Sequence, residues 1–187
     1  MKLKKHIKKI IFILTVYIIY VNFFKGYVSY LPTIPIYPNN EKDLEQMKNI
    51  MKTRTQEDVD FFFKTNHDIG PAFSPYVNED EDELYEITIS QNHIINFFKR
   101  IINRRRPYQI DTELKPLSTE TSDTPAYPAG HAYQALLLAS HLSKKYPEKK
   151  QLFDNIAARC NECRVKAGIH YKSDGEFSKT LFKLFNN

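Results

Sequence analysis

Three short stretches of the chain combine basic residues, histidines and an aspartate at regular spacing. They are KRIINRRRP (99–107), YPAGH (127–131) and CRVKAGIHYKSD (163–174), and their candidate residues are Lys99, Arg106, Gly130, His131, Arg164, His170 and Asp174. One arginine side chain can donate two parallel hydrogen bonds to the oxygens of a phosphate, and a lysine adds a point charge. Glycine at the start of a helix lets backbone N–H groups approach an anion. The set therefore predicts a site for a phosphate dianion.

The two histidines can divide the cleavage of a phosphate ester between them. One imidazole attacks the phosphorus, and the other protonates the departing oxygen. Asp174 lies four residues after His170, where it can accept the Nδ1–H and leave Nε2 free as the nucleophile. We therefore predict that His170, His131 and Asp174 are catalytic and that neither a metal nor a cofactor is needed. The remaining four candidates would bind the substrate: Lys99, Arg106, Gly130 and Arg164.

Each stretch alone also permits a purely structural interpretation. Lys99 and Arg106 can complement the dipole at the C-terminal end of a helix, and the three consecutive arginines can form a solvated basic face. His131 can simply open a helix, and His170 can be a hydrogen-bonded core histidine. The order and spacing of all three stretches together favour the site.

The combined pattern K-x6-R-P, P-x-G-H and R-x5-H-x3-D resembles the signature of the type 2 phosphatidic acid phosphatase superfamily. That superfamily also contains the bacterial class A non-specific acid phosphatases, which the chain resembles most over residues 30–185, and the vanadium haloperoxidases. The resemblance implies a compact helical bundle, a phosphohistidine on His170, His131 as general acid and Asp174 as the partner of His170. Two positions depart from the pattern, since Ala129 and Cys163 stand where the family commonly has serine.

The function that we expect is a metal-independent acid phosphatase that hydrolyses phosphate monoesters. One alternative is a lipid phosphate phosphatase that acts at a membrane surface, so the substrate is either a small soluble ester or a lipid. Two others are a vanadate-dependent haloperoxidase and an inactive anchored scaffold. A decayed site should lose its costly buried charges first, so its intact residues argue against a scaffold: Lys99, Arg106, His131, Arg164, His170 and Asp174.

The elements that must position these residues are all predicted to be helices. Apolar residues three or four apart predict helices from Glu41 and after TQED (55–58), a long helix from Ile87 to about Arg105, two further helices, and a final one from Ser173 to Phe185. On the long helix Lys99 and Arg106 would lie two turns apart on one face. Since no strand pattern of any length occurs, the predicted fold class is all-α.

The N-terminal segment has a different composition from the rest of the chain. Five lysines precede an apolar stretch at 10–24, and a helix from Ile7 to Phe24 reaches about 27 Å, just enough to cross a thin hydrocarbon core. We predict a signal anchor or signal peptide at 1–25, an extended linker at 26–40 and the phosphatase domain at 41–187. The domain would then lie outside the cytoplasm, anchored to the membrane or secreted after cleavage; the alternative is a buried first helix.

Charge and cysteine content exclude two other classes of function. The formal net charge is +5, and the five N-terminal lysines account for all of it. A global basic footprint for nucleic acid is therefore absent. The two cysteines, Cys160 and Cys163, are too few for a structural zinc site and are either small buried residues or a bridged pair.

Overall fold

The computed structural model describes residues 2–23 and 33–186, and every regular element in these two ranges is helical. The α-helices are α1 (Lys2–Phe23), α2 (Asn40–Met51), α3 (Gln56–Lys64), α4 (Gly70–Phe73), α5 (Glu81–Ile89), α6 (Asn92–Ile102), α7 (Pro107–Ile110), α8 (Gly130–Lys145), α9 (Lys150–Lys166) and α10 (Lys172–Asn186). Short 3₁₀ turns occur at Ser74–Tyr76 and Pro147–Lys149. The predicted all-α class is confirmed.

Helix α3 begins where its capping residues predict. The side chain of Thr55 accepts a hydrogen bond from the backbone N–H of Asp58, and the Asp58 carboxylate accepts one from the backbone N–H of Thr55. This reciprocal pair satisfies two donors that have no partner within the helix. Asn39 caps α2 in a similar way, since its side chain accepts from the N–H of Glu41 at 2.8 Å.

The predicted long helix from Ile87 to Arg105 is wrong, because the chain forms two helices there. Helix α5 ends at Ile89, where the Ser90 hydroxyl donates to the Ile87 carbonyl at 2.7 Å and competes with the helical pattern. Helix α6 ends at Ile102, because Asn103 adopts left-handed backbone angles with φ at 51°. Lys99 therefore lies on a helix, whereas Arg106 lies in extended backbone beyond it and not on the same helical face.

The core lies around α8, which contacts α5, α6, α9 and α10. Alanines at 135, 139 and 157 are almost fully buried between α8 and α9, and their small side chains let the two helices approach closely. Larger side chains, among them Phe73, Leu138 and Phe153, fill the space beside them. Because this apolar cluster holds α8 in place, the N-terminal end of α8 at Gly130 has a fixed position.

Gly175 in α10 allows a close approach to Asn161 in α9. A Cβ atom at position 175 would lie 2.0 Å from Asn161 Oδ1 and 2.5 Å from Asn161 Cγ. We predict that Gly175→Ala lowers the free energy of unfolding by about 1–3 kcal/mol through overpacking. In an Asn161→Ala background the same change should instead raise it by about 0.5–1 kcal/mol, because alanine favours the helix. Urea unfolding of the four proteins measures this, and an equal effect in both backgrounds would contradict the predicted contact.

The N-terminal segment forms helix α1, and the ring of Tyr17 meets that of Phe97 in α6 edge to face, with centroids 5.9 Å apart. Among the helices that the structure describes, none is long and apolar enough to cross a membrane. Of the predicted linker, 33–39 is non-helical and its Ile34 N–H donates to the Ile102 carbonyl at 3.3 Å. The predicted boundary near residue 25 lies outside the described residues.

Candidate functional site

A cavity of about 120 Å³ lies at the N-terminal end of α8. Five of the seven predicted residues line it: Lys99, Arg106, Gly130, His131 and His170. Asp174 lies behind His170 and contacts it directly, while Arg164 is buried at the end of α9. The three stretches of sequence therefore meet around one small space.

His170 is held at both ring nitrogens. Its Nδ1 lies 2.9 Å from Asp174 Oδ2, and its Nε2 lies 2.7 Å from Arg106 Nη1. A guanidinium can only donate hydrogen bonds, so Nε2 is the acceptor and the ring proton is on Nδ1, where it is donated to the carboxylate. His170 thus has the tautomer in which Nε2 carries a lone pair on the cavity side.

Backbone carbonyls of the 111–129 connection and of the turn before α10 hold the two cations of the cavity wall. Arg106 donates through Nε to the Thr124 carbonyl at 2.9 Å and through Nη1 to the Ile169 carbonyl at 2.8 Å. Lys99 Nζ donates to the Pro125 carbonyl at 2.5 Å. Both cations are nearly fully buried, and no carboxylate of residues 2–23 or 33–186 is directly bonded to either of them. An anion in the cavity would supply the missing negative charge.

His131 is fixed by a backbone carbonyl from the loop between α3 and α4. Its Nε2 lies 3.0 Å from the Asn66 carbonyl, and because a carbonyl only accepts, Nε2 carries a proton. Nδ1 is therefore the ring atom that can exchange a proton with a bound molecule. Gly130 and His131 also open α8, so their backbone N–H groups have no acceptor within the helix.

Arg164 is not among the residues that line the cavity. Its Nη2 donates to the Thr65 carbonyl and its Nη1 to the Phe62 carbonyl at 3.4 Å, with the guanidinium 4.9 Å from the Phe62 ring centroid. Its buried Nε has no hydrogen-bond partner within the described part of the chain. The structure therefore places Arg164 beside the cavity, with one donor still unused.

Burial and the crowded cations shift the pKa values of the site. The pKa of His131 and that of His170 both lie well below the ordinary value of 6.5, first because of burial and then because of nearby cations. The pKa of Lys99 falls well below its ordinary value for the same two reasons, burial and the charge of Arg106. Burial also raises the pKa of Asp174 to about 6, and the charge of Arg104 is the largest effect that opposes this rise.

Sequence reasoning missed Arg104. The run of three arginines permits a solvated basic face, but the Arg104 side chain is fully buried and donates to Asp174 Oδ1 at 2.7 Å and to Asp43 Oδ2 at 2.8 Å. Arg105 between the two buried arginines is exposed. Side chains alternate in direction along extended backbone, so a helix end at Asn103 would have predicted that Arg104 and Arg106 differ in environment from Arg105.

The two positions at which the sequence departs from the resembled pattern, Ala129 and Cys163, are both buried. Ala129 precedes α8 without a side-chain cap, and its N–H donates to the Asp174 carbonyl at 3.2 Å. Cys160 and Cys163 are both buried free thiols, and burial raises the pKa of Cys160 to about 12. The thiol of Cys163 donates to the Cys160 carbonyl at 3.2 Å. The two cysteines are therefore packing residues in this structure.

The cavity joins side chains from α6, the segment after it, α8 and the turn before α10. Its cations, its paired histidine and its helix start form one connected arrangement. A scan of the chain against protein-family models finds no match, and a search of curated proteins finds no significant relative.

Proposed function

We propose that the chain is a phosphatase that hydrolyses phosphate monoesters through a phosphohistidine on His170. The observation that carries the proposal is the tautomer of His170 and the position of its ring at the cavity. Its Nε2 lone pair faces a cavity lined by Lys99 and Arg106, while Asp174 holds the Nδ1–H. A nucleophile with an oriented base partner beside paired cations is the arrangement that phosphoryl transfer requires.

In the first step the phosphate dianion binds to Lys99, to Arg106 and to the backbone N–H groups at the start of α8. Arg106 must redirect the N–H that it donates to His170, because an occupied lone pair cannot attack phosphorus. Nε2 then forms the P–N bond as the ester P–O bond breaks. The departing oxygen takes the proton from Nδ1 of protonated His131.

In the second step a water molecule attacks the phosphohistidine. Neutral His131 accepts a proton from that water, the new P–O bond forms, and the P–N electrons return to His170 Nε2. Asp174 supports the Nδ1–H of His170 in both steps, which is the role of the carboxylate in a Ser-His-Asp triad. The products are inorganic phosphate and an alcohol, and the enzyme returns to its starting state.

The rest of the cavity wall supports a small, polar leaving group. Amide and hydroxyl side chains share this wall: Asn92, Asn96, Thr121, Thr124 and Gln134. Gln134 donates to Asn92 at 2.9 Å, so two of these amides are already ordered. An acyl chain would leave them without partners, which is unfavourable. We therefore propose soluble phosphate monoesters as substrates in preference to lipid phosphates.

The direct test is the release of p-nitrophenol from p-nitrophenyl phosphate by the full chain in the presence of EDTA. We expect turnover that survives the chelator. We also expect a phosphoenzyme that is labile to acid and stable to alkali, as phosphohistidine is. Turnover of phosphatidic acid alone would point to the lipid alternative, and vanadate-dependent bromination of a dye would point to the haloperoxidase. No activity in any assay would sink the proposal.

The lowered histidine pKa values predict that anion binding takes up protons. A bound dianion stabilises the imidazolium form, so it raises the pKa of His131 back toward its ordinary value of 6.5. By linkage, sulfate should bind more tightly at about pH 5.5 than at about pH 7.5. Calorimetry of sulfate binding in two buffers of different ionisation enthalpy measures the uptake. An affinity that does not change with pH would contradict the prediction, and His131→Ala should reduce the uptake.

We also propose that the N-terminal segment attaches the chain to a membrane. The side chains of Ile10, Ile11, Phe12 and Ile13 are all exposed on α1, and five lysines lie at its N-terminal end. A helix with basic residues at its N-terminal end and exposed apolar side chains after them suits a lipid surface with anionic headgroups. Extraction of membranes with alkaline carbonate tests this, and release of the intact chain into the supernatant would exclude a spanning anchor.

A further inference from the structure

We propose that Arg104 is a positioning residue, which holds Asp174 in the orientation that directs the His170 Nε2 lone pair into the cavity. The importance of this role for turnover rests on the proposed function. The contacts between Arg104, Asp174 and their neighbours do not depend on that function, since they are properties of the folded chain.

The two oxygens of Asp174 have separate partners. Oδ2 accepts from His170 Nδ1 and from the backbone N–H of Tyr171, both at 2.9 Å. Oδ1 accepts from Arg104 Nη1 at 2.7 Å. A carboxylate held at one oxygen alone can rotate about its Cβ–Cγ bond, whereas one held at both cannot. Arg104 thus fixes the plane in which the histidine must lie.

Arg104 is itself fixed by contacts on every side. Its Nε donates to Asn40 at 3.0 Å, its Nη2 to Asp43 at 2.8 Å, and its Nη1 also to Ser173 at 2.7 Å. Its guanidinium carbon lies 3.9 Å from the ring centroid of Tyr171 and 4.5 Å from that of Tyr37. Helix α2 thereby supports the site through Asn40 and Asp43, which both contact Arg104.

Charge gives Arg104 a second effect on the same carboxylate. Asp174 is fully buried, and burial alone favours its protonated form. Arg104 is the only cation in direct contact with it among the described ion pairs, apart from His170 when that ring is protonated. A protonated Asp174 would lose its charge as the partner of the Nδ1–H, and the preference of His170 for that tautomer would weaken.

A lysine cannot replace this arginine, although it keeps the charge. Three separate nitrogens of Arg104 reach four different side chains, and its flat guanidinium stacks on tyrosine rings. An ammonium group is a single point with no flat face. We therefore expect Arg104→Lys to impair the site nearly as much as Arg104→Gln.

The experiment combines kinetics with NMR of the full chain labelled with ¹⁵N-histidine. In the unaltered protein we expect His170 to show a protonated Nδ1 and an unprotonated Nε2. In Arg104→Gln and Arg104→Lys we expect a mixture of tautomers, and a kcat for p-nitrophenyl phosphate that falls by roughly 10- to 100-fold with KM changed less than about threefold. An unchanged His170 spectrum with unchanged kcat, in variants whose circular dichroism shows them folded, would overturn the proposal.

A second variant keeps the proposal testable if both Arg104 variants fail to fold. Asp43→Asn removes the charge that holds the Nη2 arm and leaves the contact with Asp174 in place. We expect a mixture of His170 tautomers and a fall in kcat, both smaller than in the Arg104 variants. An unaltered His170 spectrum would overturn the proposal. If the unaltered chain hydrolyses no ester, the proposed function fails, but the tautomer of His170 still tests Arg104.

Discussion

His170→Ala should reduce kcat for phosphate monoesters by on the order of 10⁴-fold, because in the proposed mechanism it removes the atom that forms the bond to phosphorus. Water could still attack a phosphate bound by Lys99 and Arg106, so some residual hydrolysis is expected. The acid-labile phosphoenzyme should disappear altogether. Release of p-nitrophenol and acid quenching after labelling with ³²P-phosphate ester measure the two effects on the same preparation.

His141→Ala is the matched control for this experiment. His141 is exposed on α8, the same helix that carries Gly130 and His131, and the proposed mechanism gives it no role. Its replacement should leave kcat and the phosphoenzyme unchanged. A His170→Ala protein that retained the phosphoenzyme would show that another residue is the nucleophile and would contradict the mechanism.

His131→Ala should lower kcat/KM, which reports the first step, by about 10²- to 10⁴-fold for an alkyl phosphate and by much less for p-nitrophenyl phosphate. An alkoxide is a poor leaving group and needs the proton of the general acid, whereas p-nitrophenolate leaves without one. The second step also loses its base, so phosphoenzyme should accumulate with the aryl substrate. Rates for glycerol phosphate and p-nitrophenyl phosphate, with phosphoenzyme measured in each, provide the comparison.

His67→Ala is the control for His131→Ala, since His67 is exposed in the loop that supplies the carbonyl bound to His131. It should affect both substrates equally and only slightly. Equal losses for the two substrates in His131→Ala would mean that this histidine binds phosphate and does not transfer a proton.

Side-chain pattern was sufficient to predict the parts of the fold that side chains determine locally. The helical spacing from Glu41 and the helix start at TQED (55–58) correspond to α2 and α3, and the predicted helix after Gly130 corresponds to α8. The break at Ser90 and the left-handed Asn103 were not predicted. At each position a helical conformation competes with another local conformation, and tertiary packing determines which of the two forms.

The site was predictable in its chemistry and less so in its supports. Charge and spacing predicted five of the residues that line the cavity, but not its amide and hydroxyl side chains. The carbonyls of Phe62, Thr65 and Asn66, which hold Arg164 and His131, belong to the backbone and have no signature in the sequence. Arg104 was missed because a run of three arginines looks solvated unless the end of α6 is known.

The hydrogen bond from Arg106 to His170 Nε2 has a consequence for reaction selectivity. An imidazole nitrogen with an unmasked lone pair would be acylated by any reactive carbonyl compound that entered the cavity. Here the lone pair is masked by a cation, and only a molecule that competes for that cation exposes it. Carboxylic esters and amides carry no negative charge and compete poorly. The resting contact would therefore make the proposed nucleophile available to anions and unreactive toward neutral electrophiles.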